Sequence, residues 1–263
     1  MGGLLTDGMR RPVRIVARLD VKGKNLIKGI RMEGLRVLGS PNERAREYYN
    51  QGADELLYID NVASLYDRNH LGELVTEVVR DVFIPITVAG GIRTVDDVSS
   101  LLRAGADKVA INTAAIRNPA LITQVAERFG SQCMVLSIEA KRTAAGRWEA
   151  YAEGGREKTG LDVLEWAQAA ILLGAGEILV TSVDFDGTEK GFDVDLVKEV
   201  GLLSSVPVIA SGGMGSIGHA RELLTATTAD AVAIGSAAHR GRLNFDAVKE
   251  DLARAGVEVR NRG

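Results

Sequence analysis

Ala106-Asp107-Lys108-Val109-Ala110-Ile111-Asn112-Thr113-Ala114-Ala115 is echoed by Ala229-Asp230-Ala231-Val232-Ala233-Ile234-Gly235-Ser236-Ala237-Ala238. Two further pairs keep nearly the same separation: Gly52-Ala53-Asp54-Glu55 with Gly174-Ala175-Gly176-Glu177, and Val88-Ala89-Gly90-Gly91 with Ala210-Ser211-Gly212-Gly213. The shifts are 123, 122 and 122 residues (106 to 229, 52 to 174, 88 to 210). Solenoid repeats run at roughly 20–50 residues, so a period of this size is half of a domain. Two such halves are expected to assemble about a pseudo-twofold axis. Chemical groups in one half should then face counterparts in the other.

Working outward from the repeats, short β-branched apolar runs alternate with longer amphipathic ones. Strands are predicted at 13–19, 55–59, 84–88, 108–111, 134–138, 177–183, 206–210 and 231–234. Helices are predicted at 42–51, 71–82, 95–104, 119–129, 161–173, 193–203, 217–225 and 245–255. Start signals stand at Ser40 before Pro41, Thr94 before Val95, and Asn118 before Pro119. Gly52, Gly105, Gly130 and Gly174 are stop signals. Strand-then-helix eight times over, with strands apolar on both faces, calls for parallel pairing. Eight units built from a duplicated half predict a closed (β/α)8 TIM barrel. Residues 1–12 are expected to be a flexible N-terminal extension and residues 13–263 a single barrel domain. Two connections are long, about residues 20–40 and 140–160, and fall at equivalent places in the halves. Loops of that length in a compact domain are usually functional.

Composition narrows the possibilities. With 263 residues, 46% of them hydrophobic and 25% charged, the chain suits one large globular domain. A net charge of −3 gives no electrostatic case for nucleic acid or an anionic membrane. No apolar run approaches a membrane span. Cys133 is the single cysteine, which excludes an internal disulfide and makes a cytoplasmic setting the default. His70, His219 and His239 are scattered without ligand spacing, so neither a metal nor another cofactor is expected.

Gly90-Gly91 follows the third strand and Gly212-Gly213 the seventh; Asn112-Thr113 and Gly235-Ser236 follow the fourth and eighth. Backbone N–H groups at such glycine segments approach anions closely. Singly, each reads equally well as a tight turn. As two matched pairs half a barrel apart, they point to a substrate with a phosphate at each end. Two acids match as well: Asp20 ends the first strand in Leu19-Asp20-Val21-Lys22, and Glu139 the fifth in Ile138-Glu139-Ala140-Lys141. Carboxylates on opposite rims serve as acid and base on two sides of one molecule. Asp186 and Gly187, in Asp184-Phe185-Asp186-Gly187-Thr188, follow the sixth strand, and Asp60-Asn61 the second. At the opposite end, Arg14, Glu55, Lys108 and Glu177 begin strands and balance in charge. The plain reading of that ring is a stabilising plug, since charges inside a barrel must satisfy one another.

Together these residues resemble the cyclase subunit of imidazole glycerol phosphate synthase, of histidine biosynthesis. The likeness runs from about Arg14 to Arg260 and includes Phe129-Gly130-Ser131-Gln132 and Gly174-Ala175-Gly176-Glu177-Ile178-Leu179 leading into Ser182-Val183-Asp184. It implies a glutaminase partner docked on the N-terminal face and ammonia crossing the barrel. The acceptor implied is a bisphosphorylated ribulosyl aminoimidazole-carboxamide ribotide. By resemblance Asp20 and Glu139 are catalytic, and Arg14, Glu55, Lys108 and Glu177 become an ammonia gate. Asp186, from its place after the sixth strand, is read as a third catalytic candidate that orients a ribose hydroxyl or assists the two acids. Lys28 belongs to a lid. Substrate and phosphate contacts fall on Gly90, Gly91, Asn112, Thr113, Gly187, Ser211, Gly212, Gly213, Gly235 and Ser236.

The chain also departs from that pattern. Glu139 stands where Asp is usual, and Arg18 where a small residue, often cysteine, is usual. Lys22-Gly23-Lys24 replaces Lys-Asp-Gly, Ala89 heads the glycine pair, and Phe185 replaces arginine. Side chains alternate along a strand, so Arg18 should point inward with Asp20. It is expected to bond one of the two acids, preferably Glu139, and hold it ionised. Asp20 would then be the principal acid–base group. Two other functions fit an edited rim: a paralogue passing ammonia to a different acceptor, such as a sugar amidation system, and a non-catalytic scaffold that activates a glutaminase.

Overall fold

The computed structural model describes residues 11–61 and 71–260. The predicted extension therefore lies outside the described residues except for Arg11 and Pro12, both exposed, and His70 lies outside them too. In chain order the elements are β1 (Arg14–Lys22), β2 (Asn25–Ile30), β3 (Glu33–Gly39), α1 (Pro41–Asn50), β4 (Glu55–Asp60), α2 (Leu71–Val78), β5 (Ile86–Ala89), α3 (Val95–Ala104), β6 (Lys108–Ile111), α4 (Thr113–Arg117) and α5 (Ala120–Phe129). There follow β7 (Met134–Ala144), β8 (Arg147–Ala152), β9 (Glu157–Asp162), α6 (Val163–Leu172), β10 (Glu177–Ser182), α7 (Val194–Leu203), β11 (Val208–Ser211), α8 (Ile217–Ala226), β12 (Ala231–Ile234), α9 (Ser236–His239) and α10 (Phe245–Arg254).

Eight strands pair in parallel in the order β1-β4-β5-β6-β7-β10-β11-β12, and β12 returns to β1. The (β/α)8 barrel expected from the repeats is therefore the fold. Alternation along β1 shows how one strand feeds two environments. Ile15, Ala17, Leu19 and Val21 join the large outer core between sheet and helices. Val16 instead joins a second apolar cluster with Leu57, Ala89, Ala110, Val135, Leu179, Ile209, Ala231 and Ala233, to which every barrel strand contributes. That cluster fills the barrel's middle. The other inward positions along β1 are charged: Arg14 lies below the cluster, and Arg18 and Asp20 lie above it.

The strand starts differ from expectation at β5 and β11 for one reason. Pro85 and Pro207 precede them, and proline has no N–H for the ladder. Both carbonyls are still used, by Leu56 N–H and Ile178 N–H at 2.9 Å each. The Ala-Asp repeat also has a structural role. Asp54, Asp107 and Asp230 accept backbone N–H groups of Ile15, Ile86 and Val208 at 2.7, 2.8 and 2.9 Å, stapling neighbouring strands. The fourth position is Gly176, where a Cβ would stand 2.2 Å from the Ser131 carbonyl oxygen. Ser40 and Thr94 cap α1 and α3 as predicted, Thr94 in a reciprocal box with Asp97. Asn118 does not cap α5; it closes α4, and Pro119 occupies the cap position without a side-chain bond.

The two long connections are antiparallel arms, not irregular loops. β2 and β3 extend β1, and β8 and β9 extend β7, which is why β7 runs past its predicted end.

Candidate functional site

The arms cross over the duplication. From the second half, Tyr151 O accepts Asn112 Nδ2–H at 2.9 Å and Glu153 N–H donates to Thr113 Oγ1 at 3.0 Å. From the first half, Arg31 N–H donates to Asp186 O at 2.7 Å, and Gly187 lies so close to Gly29 that a Cβ would stand 2.2 Å from its carbonyl oxygen. Each half thus braces the phosphate end predicted in the other.

The two predicted ends are unequal. Gly90, Gly91, Asn112 and Thr113 line a cavity of about 290 Å3 that also meets Asn61, Arg93, Arg117, Ser137 and Glu139. Gly187, Ser211, Gly212, Gly213, Gly235 and Ser236 line one of about 10 Å3, together with Arg18, Lys28 and Asp186. The glycines themselves are matched: Gly90 and Gly212 both have φ of +96°, and a Cβ would meet Asp60 O at 2.2 Å and Ser182 O at 2.7 Å. Backbone geometry alone requires glycine at both. The helices that follow, α4 and α9, span only five and four residues, so little macrodipole stands behind either end.

A buried knot fills the second end. Arg18 Nε donates to Asp20 Oδ1 at 2.8 Å, Nη1 to Ser211 Oγ at 2.9 Å and Nη2 to Asp186 Oδ2 at 3.1 Å. Lys28, on β2, bonds the other oxygen of Asp20 and reaches Asp186 Oδ1 at 2.9 Å. The expected bond to one of the two acids is made, but to Asp20 and not to the preferred Glu139: among the described residues Arg18 makes no hydrogen bond to Glu139. Its guanidinium, two positions below Asp20 on the same strand face, lies nearer Asp20 and Asp186. Burial alone would raise the Asp20 carboxyl, but Arg18 and Lys28 outweigh it and hold Asp20 well below the usual carboxylate range.

Glu139 moves the opposite way. It is half-buried on the wall of the larger cavity, and its charged form is satisfied chiefly by one Gly155 N–H to Oε2 at 2.7 Å. Burial pushes its carboxyl up to about 7, only partly opposed by the Gly155 bond and the more distant Arg18. The expectation of an ionised Glu139 beside a titrating Asp20 is therefore reversed.

His239 was passed over in the sequence for want of ligand spacing. Its Nδ1 lies 2.7 Å from Tyr48 Oη, and burial lowers its pKa to about 4, so the ring is neutral. Tyr48 is itself pushed up by burial and stays a donor. The ring proton then sits on Nε2, which has no partner; Ser236 Oγ likewise has none. Among the described residues no group of three or more His, Cys, Asp or Glu is arranged for a metal ion.

At the strand starts, Arg14 bonds Glu55 at 2.8 Å and Glu177 at 2.5 Å, while Lys108 bonds the same two at 3.0 and 2.7 Å. The four close a ring beneath the apolar middle. Outside it opens a cavity of about 540 Å3 lined by Arg14, Lys108, Gln132, Glu177, Pro207 and Arg260.

A duplicated barrel with buried acids at the C-terminal strand ends and glycine-formed ends to either side defines a class, the (β/α)8 enzymes whose reaction centre is ringed by strand-to-helix connections. Residues 14–244 match the model of the histidine biosynthesis protein family, and the chain belongs to that family. Its relatives include the imidazole glycerol phosphate synthase subunit HisF of Legionella pneumophila, 65% identical over 205 residues that cover 78% of this chain and 97% of the relative. Proteins of the same name from Myxococcus xanthus and Streptococcus sanguinis are 49% and 47% identical, each covering 94% of this chain and 98% of their own length.

Proposed function

We propose that the chain is the ammonia-dependent cyclase and lyase subunit of an imidazole glycerol phosphate synthase. Its substrate is a bisphosphorylated ribulosyl aminoimidazole-carboxamide ribotide, and its products are imidazole glycerol phosphate and aminoimidazole-carboxamide ribotide. The observation that carries this reading, beside the family, is the pair of acids at matched strand ends, Asp20 held by two cations and Glu139 facing the larger cavity with one backbone N–H as its partner. Ammonia condensing with a carbonyl needs a proton delivered to the departing oxygen and protons removed from nitrogen. A carboxyl near 7 does both at neutral pH. Glu139 fills that role, and Asp20, fixed as an anion, stabilises positive charge developing on nitrogen.

Ammonia reaches the centre through the ring of Arg14, Glu55, Lys108 and Glu177, supplied by a glutaminase seated over the cavity outside it. The charge balance of that ring suits passage of a neutral molecule better than of ammonium. The apolar cluster above it offers no partner to an ion.

The test is turnover of the natural substrate with ammonium salts, alongside rescue of a histidine auxotroph. Turnover and rescue support the cyclase. Absence of both, with glutaminase activation retained, transfers the assignment to ammonia delivery toward another acceptor or to a scaffold.

A further inference from the structure

The two ends of the site share their backbone geometry but not their room. The first end has about 290 Å3. The second has about 10 Å3, space for about one water molecule. Arg18 and Lys28 take up what is missing, and both are held inside by the carboxylates of Asp20 and Asp186. Yet the second end keeps unspent donors. Ser236 Oγ borders the small cavity and is buried without a partner. His239 Nε2, also buried and unpartnered, lies 3.9 Å from where a Gly235 Cβ would stand. Buried donors normally find acceptors, so two orphans around one small void mark a place where an acceptor arrives.

We propose that Arg18 makes anion binding at the two ends sequential. The Gly90–Thr113 end receives a phosphate in the resting chain. The Gly212–Ser236 end opens only when a second phosphate draws Arg18 and Lys28 away from Asp20 and Asp186 and takes those carboxylates' place as counter-ion. Arg18 is thereby a specificity-determining residue. A ligand with one phosphate anchors in the first cavity and leaves the knot shut. Only a ligand long enough to present a second phosphate from that anchor has the local concentration to open it. The knot itself is neutral, two cations against two carboxylates. A phosphate dianion takes over the contacts of both cations, and the displaced carboxylates turn to the ligand's own donors. Release of the knot also frees Asp20, so the carboxylate becomes available to substrate only once both ends are engaged.

The inference rests on the site being the one that binds the bisphosphorylated substrate, and its test does not depend on turnover. Crystals of the whole chain soaked in inorganic phosphate, and calorimetric titration with the same ion, read occupancy directly. The wild type is expected to show one phosphate, beside Gly91 and Thr113, with Arg18 still on Asp20. The double variant Arg18→Ala/Asp186→Asn removes one cation and one anion, so the knot stays neutral while room is made. Two phosphates are expected, the second beside Gly213 and Ser236. Should the double variant not fold, soaks of the wild type with a monophosphate and a bisphosphate sugar substitute for it, and only the bisphosphate should displace Arg18. Phosphate at both ends of the wild type with Arg18 unmoved would overturn the proposal. So would a folded double variant that still binds one. A cyclase assay that fails while the one-then-two pattern holds would sink the activity assignment and leave the sequential site standing.

Discussion

Arg18 and Asp20 lie two positions apart on β1 and grip each other across the barrel's upper interior, Nε to Oδ1 at 2.8 Å. Both are almost wholly buried. Replacing Asp20 by Asn keeps the shape and one acceptor but removes a charge from a balanced set of two cations and two anions. Breaking a buried pair costs about 3–5 kcal/mol; the surviving amide oxygen brings the expected loss to the lower part of that range. The Asp20 carboxyl lies below its ordinary range, so its contribution is present above about pH 4 and disappears on acidification. Urea unfolding at pH 7 and pH 3 should show the variant less stable at pH 7 and the gap narrowed at pH 3. Cyclase turnover with ammonium salts should fall at least ~100-fold, the scale of losing an electrostatic group at a reaction centre.

Glu139 gives the opposite sign. Its folded pKa is raised from 4.5 to about 7, so stability from the buried neutral form is complete below pH 4.5 and is lost as pH rises through 7. The loss across that window is on the order of 3 kcal/mol at ~1.4 kcal/mol per unit. Glu139→Gln, permanently neutral, should be more stable than wild type at pH 8 and equal to it at pH 4. In kinetics at saturating ammonia, the wild-type rate should bend near pH 7. The variant should lose that bend along with at least ~100-fold of the rate, the scale general acid–base catalysis contributes. A bend unchanged in Glu139→Gln assigns it to another group.

Much of this was legible in the chain. The eight barrel strands follow from apolar runs set off by repeats, and the charged ring from matching positions at strand starts. Inward pointing of Arg18 follows from its two-residue spacing to Asp20. The arms were not legible, because β2, β3, β8 and β9 are only six or seven residues long, are broken by glycine or charge, and end in the edge strands β3 and β9, so no apolar alternation announces them. For the same reason the bracing of Asn112 and Thr113 by Tyr151 and Glu153 had no signal. The preference of Arg18 for Asp186 over Glu139 was invisible for a different cause. It depends on the distance between strands that lie far apart in sequence, and a methylene's extra reach in Glu139 does not decide it. His239 left only a weak trace, a histidine four residues beyond Gly235, the distance that puts its ring back over the same turn.

Gly90 tests the local geometry. Its φ is +96° and a Cβ would stand 2.2 Å from the Asp60 carbonyl oxygen, a backbone atom that cannot swing aside. Gly90→Ala should destabilise by more than ~1 kcal/mol from the conformation alone and by several in all once the clash is relieved. Gly212→Ala, at the same φ but with 2.7 Å to Ser182 O, should cost less. Thermal unfolding of the two variants side by side gives the order. If Gly212→Ala proves the more damaging, the close approach at Asp60 is not what demands glycine.

The ring of Arg14, Glu55, Lys108 and Glu177 carries the last prediction, because one variant separates a gate from a plug. Lys108 bonds both glutamates, and so does Arg14. Lys108→Ala leaves Arg14 alone with two carboxylates and a net negative floor. Burial acts to raise the Glu55 carboxyl, but Arg14 and Lys108 together hold it below its ordinary value, so its stabilising share is present above about pH 4.5 and falls away in acid. Without Lys108 that depression weakens, and the variant should lose stability at pH 7 while its acid-side slope flattens. A plug predicts nothing more. A gate predicts that in the complex with the glutaminase, the ratio of ammonia incorporated to glutamine hydrolysed also drops, because a charged floor left unbalanced draws in ammonium and water and lets ammonia leak to solvent. Turnover driven by external ammonium salts should change far less than turnover driven by glutamine. Equal losses with the two nitrogen sources, or an unchanged ratio in a complex that still assembles, would reduce the ring to a structural floor.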